Sequence, residues 1–143
     1  MSAKPPVPAE GGCLCGAIRY SIAGEPLARS LCHCHSCRVA SAAPSVAWVT
    51  VRMADYAVVA GKPSAFRSSP PVVRTFCAAC GSQLTYRHED SPETIDVTTV
   101  TLDDPEPFAP TFEVWLEDKL AWETLDERLD HYPRTRTEGK GAG

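Results

Sequence analysis

Gly11-Gly12-Cys13-Leu14-Cys15-Gly16-Ala17-Ile18-Arg19-Tyr20-Ser21-Ile22 is the stretch that decides the fold class. Its second half alternates Ile18, Tyr20 and Ile22 with Arg19 and Ser21, the pattern of a half-buried strand. Its first half sets two cysteines one residue apart, which on a strand would point to opposite faces. The flanking glycines Gly11, Gly12 and Gly16 instead allow a turn from which both thiols reach one metal. The same conjunction recurs downstream, where Cys77-Ala78-Ala79-Cys80-Gly81 lies between the β-rich runs Val72–Phe76 and Gln83–Arg87. Val46–Val51, Thr94–Leu102 and Thr111–Leu116 are further strand candidates, with Ile95 and Val97 on one face. Turns at Gly24-Glu25-Pro26, Gly61-Lys62-Pro63, Ser69-Pro70-Pro71 and Asp104-Pro105-Glu106-Pro107 punctuate the runs. Thirteen prolines argue against long helices. One helix is expected over Leu116–Leu129, where Leu116, Leu120, Leu125 and Leu129 fall loosely on one side. The expectation is an all-β (β-rich) single domain over residues 11–133, with metal knuckles at strand ends, little helix, and flexible termini at 1–10 and 134–143.

Bulk properties narrow the function. A chain of 143 residues suits one domain. Its net charge of -4, with no basic run, disfavours a nucleic-acid surface, which needs clustered Lys and Arg. No apolar stretch approaches the roughly 20 residues of a membrane span. Met1–Pro8 carries no apolar core of a secretory signal, so a cytoplasmic location with reduced thiols is expected. In that setting clustered cysteines are read as metal ligands. The sequence leaves the oligomeric state open.

Seven cysteines are too many for one tetrahedral zinc and odd for disulfide pairing. Cys13, Cys15, Cys77 and Cys80 supply four ligands, enough for a closed structural site. Cys32, Cys34 and Cys37, in Cys32-His33-Cys34-His35-Ser36-Cys37, supply three, which can cap a metal from one side and leave a position open for chemistry. Spacing alone also admits a ribbon made of Cys34, Cys37, Cys77 and Cys80, with Cys13, Cys15 and Cys32 as spare thiols. His33 and His35 are alternative ligands, though beside thiolates such residues more often support ligands or face solvent. His88 and His131 are taken as surface residues.

These clusters, in this order, resemble the glutathione-dependent formaldehyde-activating (GFA) enzymes, also called the centromere protein V family. The matching pieces are Gly12–Tyr20, Cys32–Arg38, Pro44 followed by Trp48, Arg74–Leu84, Leu102–Pro105 and the segment around Trp122. Differences fall at Ala42-Ala43, where members often carry Gly, at Phe112-Glu113, where many have a His, and at Leu129-Asp130 in place of Leu-Pro. The resemblance implies a Mss4-like fold of folded-over antiparallel sheets. It implies two Zn²⁺ per chain: a structural zinc on Cys13, Cys15, Cys77 and Cys80, and a labile catalytic zinc on Cys32, Cys34 and Cys37. It also implies a carbon–sulfur lyase-type activity on a small thiol adduct, with glutathione and formaldehyde giving S-hydroxymethylglutathione.

Three thiolates around Zn²⁺ leave a local charge of about -1, so a cation is expected nearby. Arg38, directly after the cluster, is the first candidate to bind against the site, and Arg74 is the second. His35 is a candidate proton donor, and Trp48 either lines the pocket or belongs to the core. The competing reading is a noncatalytic Mss4-like zinc module that binds a protein partner. A methionine sulfoxide reductase on the related fold is excluded, because it needs a reactive cysteine toward the C-terminus and no cysteine follows Cys80.

Overall fold

The computed structural model describes residues 4–136. Two sheets account for most of it. The smaller has the order β1-β2-β5, from β1 (Ala9–Gly12), β2 (Arg19–Ile22) and β5 (Tyr56–Ala60). The larger has eight strands in the order β11-β10-β3-β4-β9-β8-β7-β6. They are β3 (Ala28–Cys32), β4 (Val46–Arg52), β6 (Ser64–Ser69), β7 (Val72–Phe76), β8 (Gln83–His88), β9 (Thr94–Thr98), β10 (Phe112–Val114) and β11 (Asp130–His131). The fold is β-rich, and its pairings are antiparallel except at one edge, where β10 runs parallel to both β3 and β11.

The alternation over Ile18–Ile22 has its expected consequence: Ile18, Tyr20 and Ile22 are buried. They pack with Val49, Val51, Leu84, Ile95, Val97 and Phe108 in one core, which also contains Cys13 and Cys77. A second core gathers Cys32, Cys37, Val46, Trp48, Phe112, Val114 and Tyr132. Each cysteine cluster is thus anchored in a hydrophobic core of its own, though Cys15 is exposed. Apolar packing fixes the cysteine Cα positions and limits how far the thiols can drift.

The structure differs from the sequence expectation in two places. Residues 9–10, read as lead-in, belong to β1 and pair with β2. Residues 1–3 and 137–143, which fall in the termini expected to be flexible, lie outside the described residues. The helix expected over Leu116–Leu129 is absent; only a 3-10 turn forms, at Leu116–Asp118. Trp115 enters that turn with a left-handed φ of 58°, Lys119 leaves it extended, and the Lys119 ammonium donates to the carbonyls of Leu120 and Glu123. The Asp126 N–H donates to the Glu113 carboxylate. Polar groups a helix would pair internally are thus taken by side chains, from Lys119 nearby and from Glu113 on β10. The α-helix α1 (His35–Ser41) lies instead inside the central cysteine cluster.

Candidate metal centres and active site

Cys13 and Cys15 lie in the turn between β1 and β2, and Cys77 and Cys80 in the turn between β7 and β8. The four sulfurs lie within 4.8 Å of one another. Cys13 Sγ to Cys15 Sγ is 3.6 Å and Cys15 Sγ to Cys77 Sγ is 3.8 Å. A tetrahedron with metal–sulfur arms of about 2.3 Å has edges of about 3.8 Å, so this group fits zinc. Backbone N–H groups of Ile18 and Cys80 point at Cys13 Sγ and Cys77 Sγ, 3.2 and 3.4 Å away. Both knuckles turn through a glycine in the left-handed region, Gly16 (φ 81°) and Gly81 (φ 80°), where a Cβ would be strained. The Ser82 hydroxyl, 3.2 Å from Cys80 Sγ, is the largest of the contacts that pull that thiol down to about 5.

The second group forms where β3 runs into α1. Cys32 ends the strand, Cys34 is the N-cap, and Cys37 lies in the first turn of the helix. The Cys34 sulfur accepts the Cys37 N–H at 3.3 Å, the place a Ser or Asp usually takes at a helix start. All three sulfurs lie within 4.8 Å of one another. Among the described residues only these three Cys, His, Asp or Glu ligand atoms converge there, so a metal held by them keeps an open side. The seven cysteines therefore divide four and three, all as free thiols, and the mixed ribbon of Cys34, Cys37, Cys77 and Cys80 is not formed. Without a metal, contacts from Cys32 and then Cys37 hold the Cys34 thiol far below its ordinary value. Contacts with Cys34 and Cys37, together with burial, drive Cys32 far up. The cluster thus carries its first negative charge on Cys34 and resists a second until a cation arrives.

The register of the large sheet lays the remaining groups beside this cluster in one row. Phe66 stands opposite Arg74, Arg74 opposite Tyr86, Tyr86 opposite Asp96, and Asp96 opposite Thr50. Directly paired residues share a face, so a single line across five strands carries an aromatic, a cation, an aromatic, an acid and a hydroxyl. Arg74 is buried. Its terminal nitrogens lie 3.7 and 3.9 Å from Cys37 Sγ, its Nε donates to Ser68 Oγ at 3.1 Å, and its guanidinium sits 5.0 Å from the centre of the Tyr86 ring. Among the described residues no carboxylate pairs with it; its sulfur contact is Cys37, and its charge also favours the thiolate of Cys34. Arg38, the first sequence candidate, is turned elsewhere: it donates to the carbonyls of His33 and Asp118 at 3.1 and 3.2 Å. The guanidinium against the cluster is that of Arg74.

A cavity of about 200 Å³ opens on Cys32, Cys34 and Cys37, with Trp48, Tyr86 and Asp96 among its walls. Trp48 is at once core and pocket wall. Burial pushes the Asp96 carboxyl up to about 6, against the lowering effect of the Thr50 hydroxyl at 2.6 Å. Sequence reasoning did not select Asp96. Its signal was an acid between Ile95 and Val97, on the strand face opposite to theirs. His35 is exposed and lines neighbouring cavities rather than this one.

His33 is fully buried and its Nε2 lies 2.7 Å from Glu113 Oε1. Glu113, itself buried, also meets His131 Nε2 at 3.2 Å and the Asp126 N–H at 3.0 Å. His131 is therefore not the free surface residue that its sequence context suggested, whereas the His88 ring meets Asp90 near the surface. Through Glu113 the backbone between Cys32 and Cys34 is tied to the last described strand.

Among solved structures, the fold is similar to the crystal structure of a Rhodobacter sphaeroides protein, with a TM-score of 0.58 and 24% identity over 71% of this chain and 97% of that one. No curated protein matches the chain. The model of the family described as glutathione-dependent formaldehyde-activating enzyme matches residues 8–118, which hold both cysteine groups, Arg74 and Asp96. By that match the chain belongs to the glutathione-dependent formaldehyde-activating enzyme family.

Proposed function

We propose that this chain is a zinc-dependent carbon–sulfur lyase-type enzyme that joins a small thiol to an aldehyde and reverses the reaction, with glutathione and formaldehyde as the pair the family suggests. The observation that carries the reading is the convergence of three thiols, and no fourth ligand among the described residues, on a cavity that also presents a raised carboxyl. Cys13, Cys15, Cys77 and Cys80 would hold a structural zinc and Cys32, Cys34 and Cys37 a catalytic one. When bound at the three-thiol site, zinc supplies a positive centre with an open position that favours the thiolate form of an incoming thiol.

The chain's own groups do the rest. Arg74 offsets the negative charge that three thiolates leave around a divalent metal, which lowers the cost of bringing in another sulfur anion. Asp96, poised near 6, takes the proton of the incoming S–H as a carboxylate. The sulfur lone pair then forms the C–S bond, the carbonyl π pair moves onto oxygen, and Asp96 returns the proton to that oxygen. Trp48 and Tyr86 wall the cavity, limiting access of water to the reacting atoms.

The test compares zinc-loaded protein with a Cys32→Ser, Cys34→Ser variant for formation and breakdown of S-hydroxymethylglutathione, above the uncatalysed rate. The variant should fall to the background. Equal rates for both proteins, together with two chelator-resistant zincs per chain, would instead make the chain a noncatalytic zinc module for a protein partner.

A further inference from the structure

Two further cavities lie along the start of α1 and share walls in series with the cavity on the cysteines. A second cavity, about 260 Å³, shares Cys34, Tyr86 and Trp115 with the first. A third, about 430 Å³, shares His35, Ser36, Ser68 and Arg74 with the second. The third differs in chemistry from the other two. Beyond its Arg74 end its walls are Val39, Ala40, Phe66 and Phe76, with Gln83 and no carboxylate or lysine. Val39 and Phe66, on its rim, are 65% and 63% exposed, a large apolar surface left in water. Phe66 is also the next member of the sheet row after Arg74, one strand farther from the cysteines.

Formaldehyde, with one carbon, leaves this space unfilled. The two carboxylates and one ammonium of glutathione find no partner on its apolar walls. A volume above 300 Å³ with apolar walls and a polar group at one end is instead the make-up of a site for a hydrocarbon group. We infer that the carbonyl partner of this enzyme is an aldehyde bearing an apolar ring or branched chain, whose thiol adduct lies with sulfur at Cys32, Cys34 and Cys37 and the apolar group between Val39, Phe66 and Phe76. This rests on the thiol-adduct reading above and specifies its aldehyde. The step balances without an oxidant: RSH and R′CHO give RS–CH(OH)R′, the S–H proton ending on the former carbonyl oxygen. Arg74 stands at the junction, between the sulfur and the apolar group.

Stable thioethers test this by calorimetry on the zinc-loaded full chain. S-(2-phenylethyl)glutathione should bind at least about tenfold more tightly than S-methylglutathione, a difference of about 1.4 kcal/mol. Phe66→Ala and Val39→Ser, both at exposed positions, should remove that gain and leave S-methylglutathione binding unchanged. Equal affinities for the two thioethers, or a gain that survives both substitutions, would overturn the inference. Methyl 2-phenylethyl sulfide, which lacks glutathione, separates the two readings. If it binds in a Phe66-dependent manner while S-methylglutathione does not bind, the apolar site stands and glutathione is the part that fails. If neither phenylethyl compound binds, the apolar site is refuted.

Discussion

Asp96 lies among polar and aromatic neighbours in the cysteine cavity, and its carboxyl titrates near 6 because burial penalises the anion. Two consequences follow with definite signs. A carboxyl raised above its unfolded value of about 3.9 stabilises the fold most below that value, and loses this contribution as pH rises through 6. Asp96→Asn should therefore be more stable than the parent at pH 8, by at most about 3 kcal/mol, and equal to it below about pH 4. Urea denaturation at the two pH values measures this. For activity the sign is opposite: the base form is needed, so the parent's kcat/KM should fall below pH 6. In the Asn variant that limb should vanish and the rate should drop about 100-fold, within the usual range for a lost general base. A pH–rate profile with the same acid limb in both proteins would remove Asp96 from the proposed chemistry. Arg74 acts differently: its guanidinium bears on the thiols by proximity, 3.7 Å from Cys37 Sγ.

At the scale of elements, local chemistry was legible and long-range use of backbone groups was not. Alternation identified β2, whose burial has period two, and β-branched composition identified β4, β7 and β9, because both signals are written into neighbouring residues. The division of seven cysteines into four and three was legible for the same reason: each knuckle is local, even though its partner is distant. The expected helix after Leu116 failed because Glu113 and Lys119 claim its backbone groups, and side-chain spacing carries no trace of that. The choice between Arg38 and Arg74 was beyond reach, since it depends on strand register rather than on distance in sequence. The short α1 was hidden by its unusual cap, a cysteine in the role of Ser or Asp. Its other end makes a prediction. Ala42 closes α1 with φ 51°, a left-handed conformation that costs a residue with a Cβ about 1 kcal/mol. Ala42 is also the position at which the family resemblance leads one to expect glycine. Ala42→Gly should stabilise the protein by about 0.5–1 kcal/mol, after allowing for the freer unfolded chain. Ala43→Gly, whose φ is not positive, serves as the control and should bring no gain in thermal denaturation.

Across the whole molecule the two thiol groups differ most in what they connect. Cys15 and Cys77 are 62 residues apart, and their shared group joins a turn of the small sheet to a turn of the large one. A metal there closes a long loop and adds to the Leu14 N–H to Ser82 Oγ hydrogen bond that already links the two turns. Cross-linking of this span restricts the unfolded chain by about 3–5 kcal/mol on the loop-entropy model, and binding to a site that exists only when folded adds to that. Cys32, Cys34 and Cys37 fall within one strand end and one helical turn, so a metal there closes almost no loop. The surrounding core of Val46, Trp48, Phe112, Val114 and Tyr132 holds their backbone in place without it. The exposed Cys15 is therefore expected to matter more for stability than the partly buried Cys34, the reverse of what burial alone suggests. Cys15→Ser should lower unfolding free energy by about 3 kcal/mol or more and reduce bound zinc by one equivalent. Cys34→Ser should also lose one zinc, shift stability by about 1 kcal/mol at most, and abolish turnover. Elemental analysis, denaturation and the adduct assay on the two variants decide the matter. Equal losses of stability would mean that the central cluster also holds the fold together, which would undercut its assignment as an open, catalytic site.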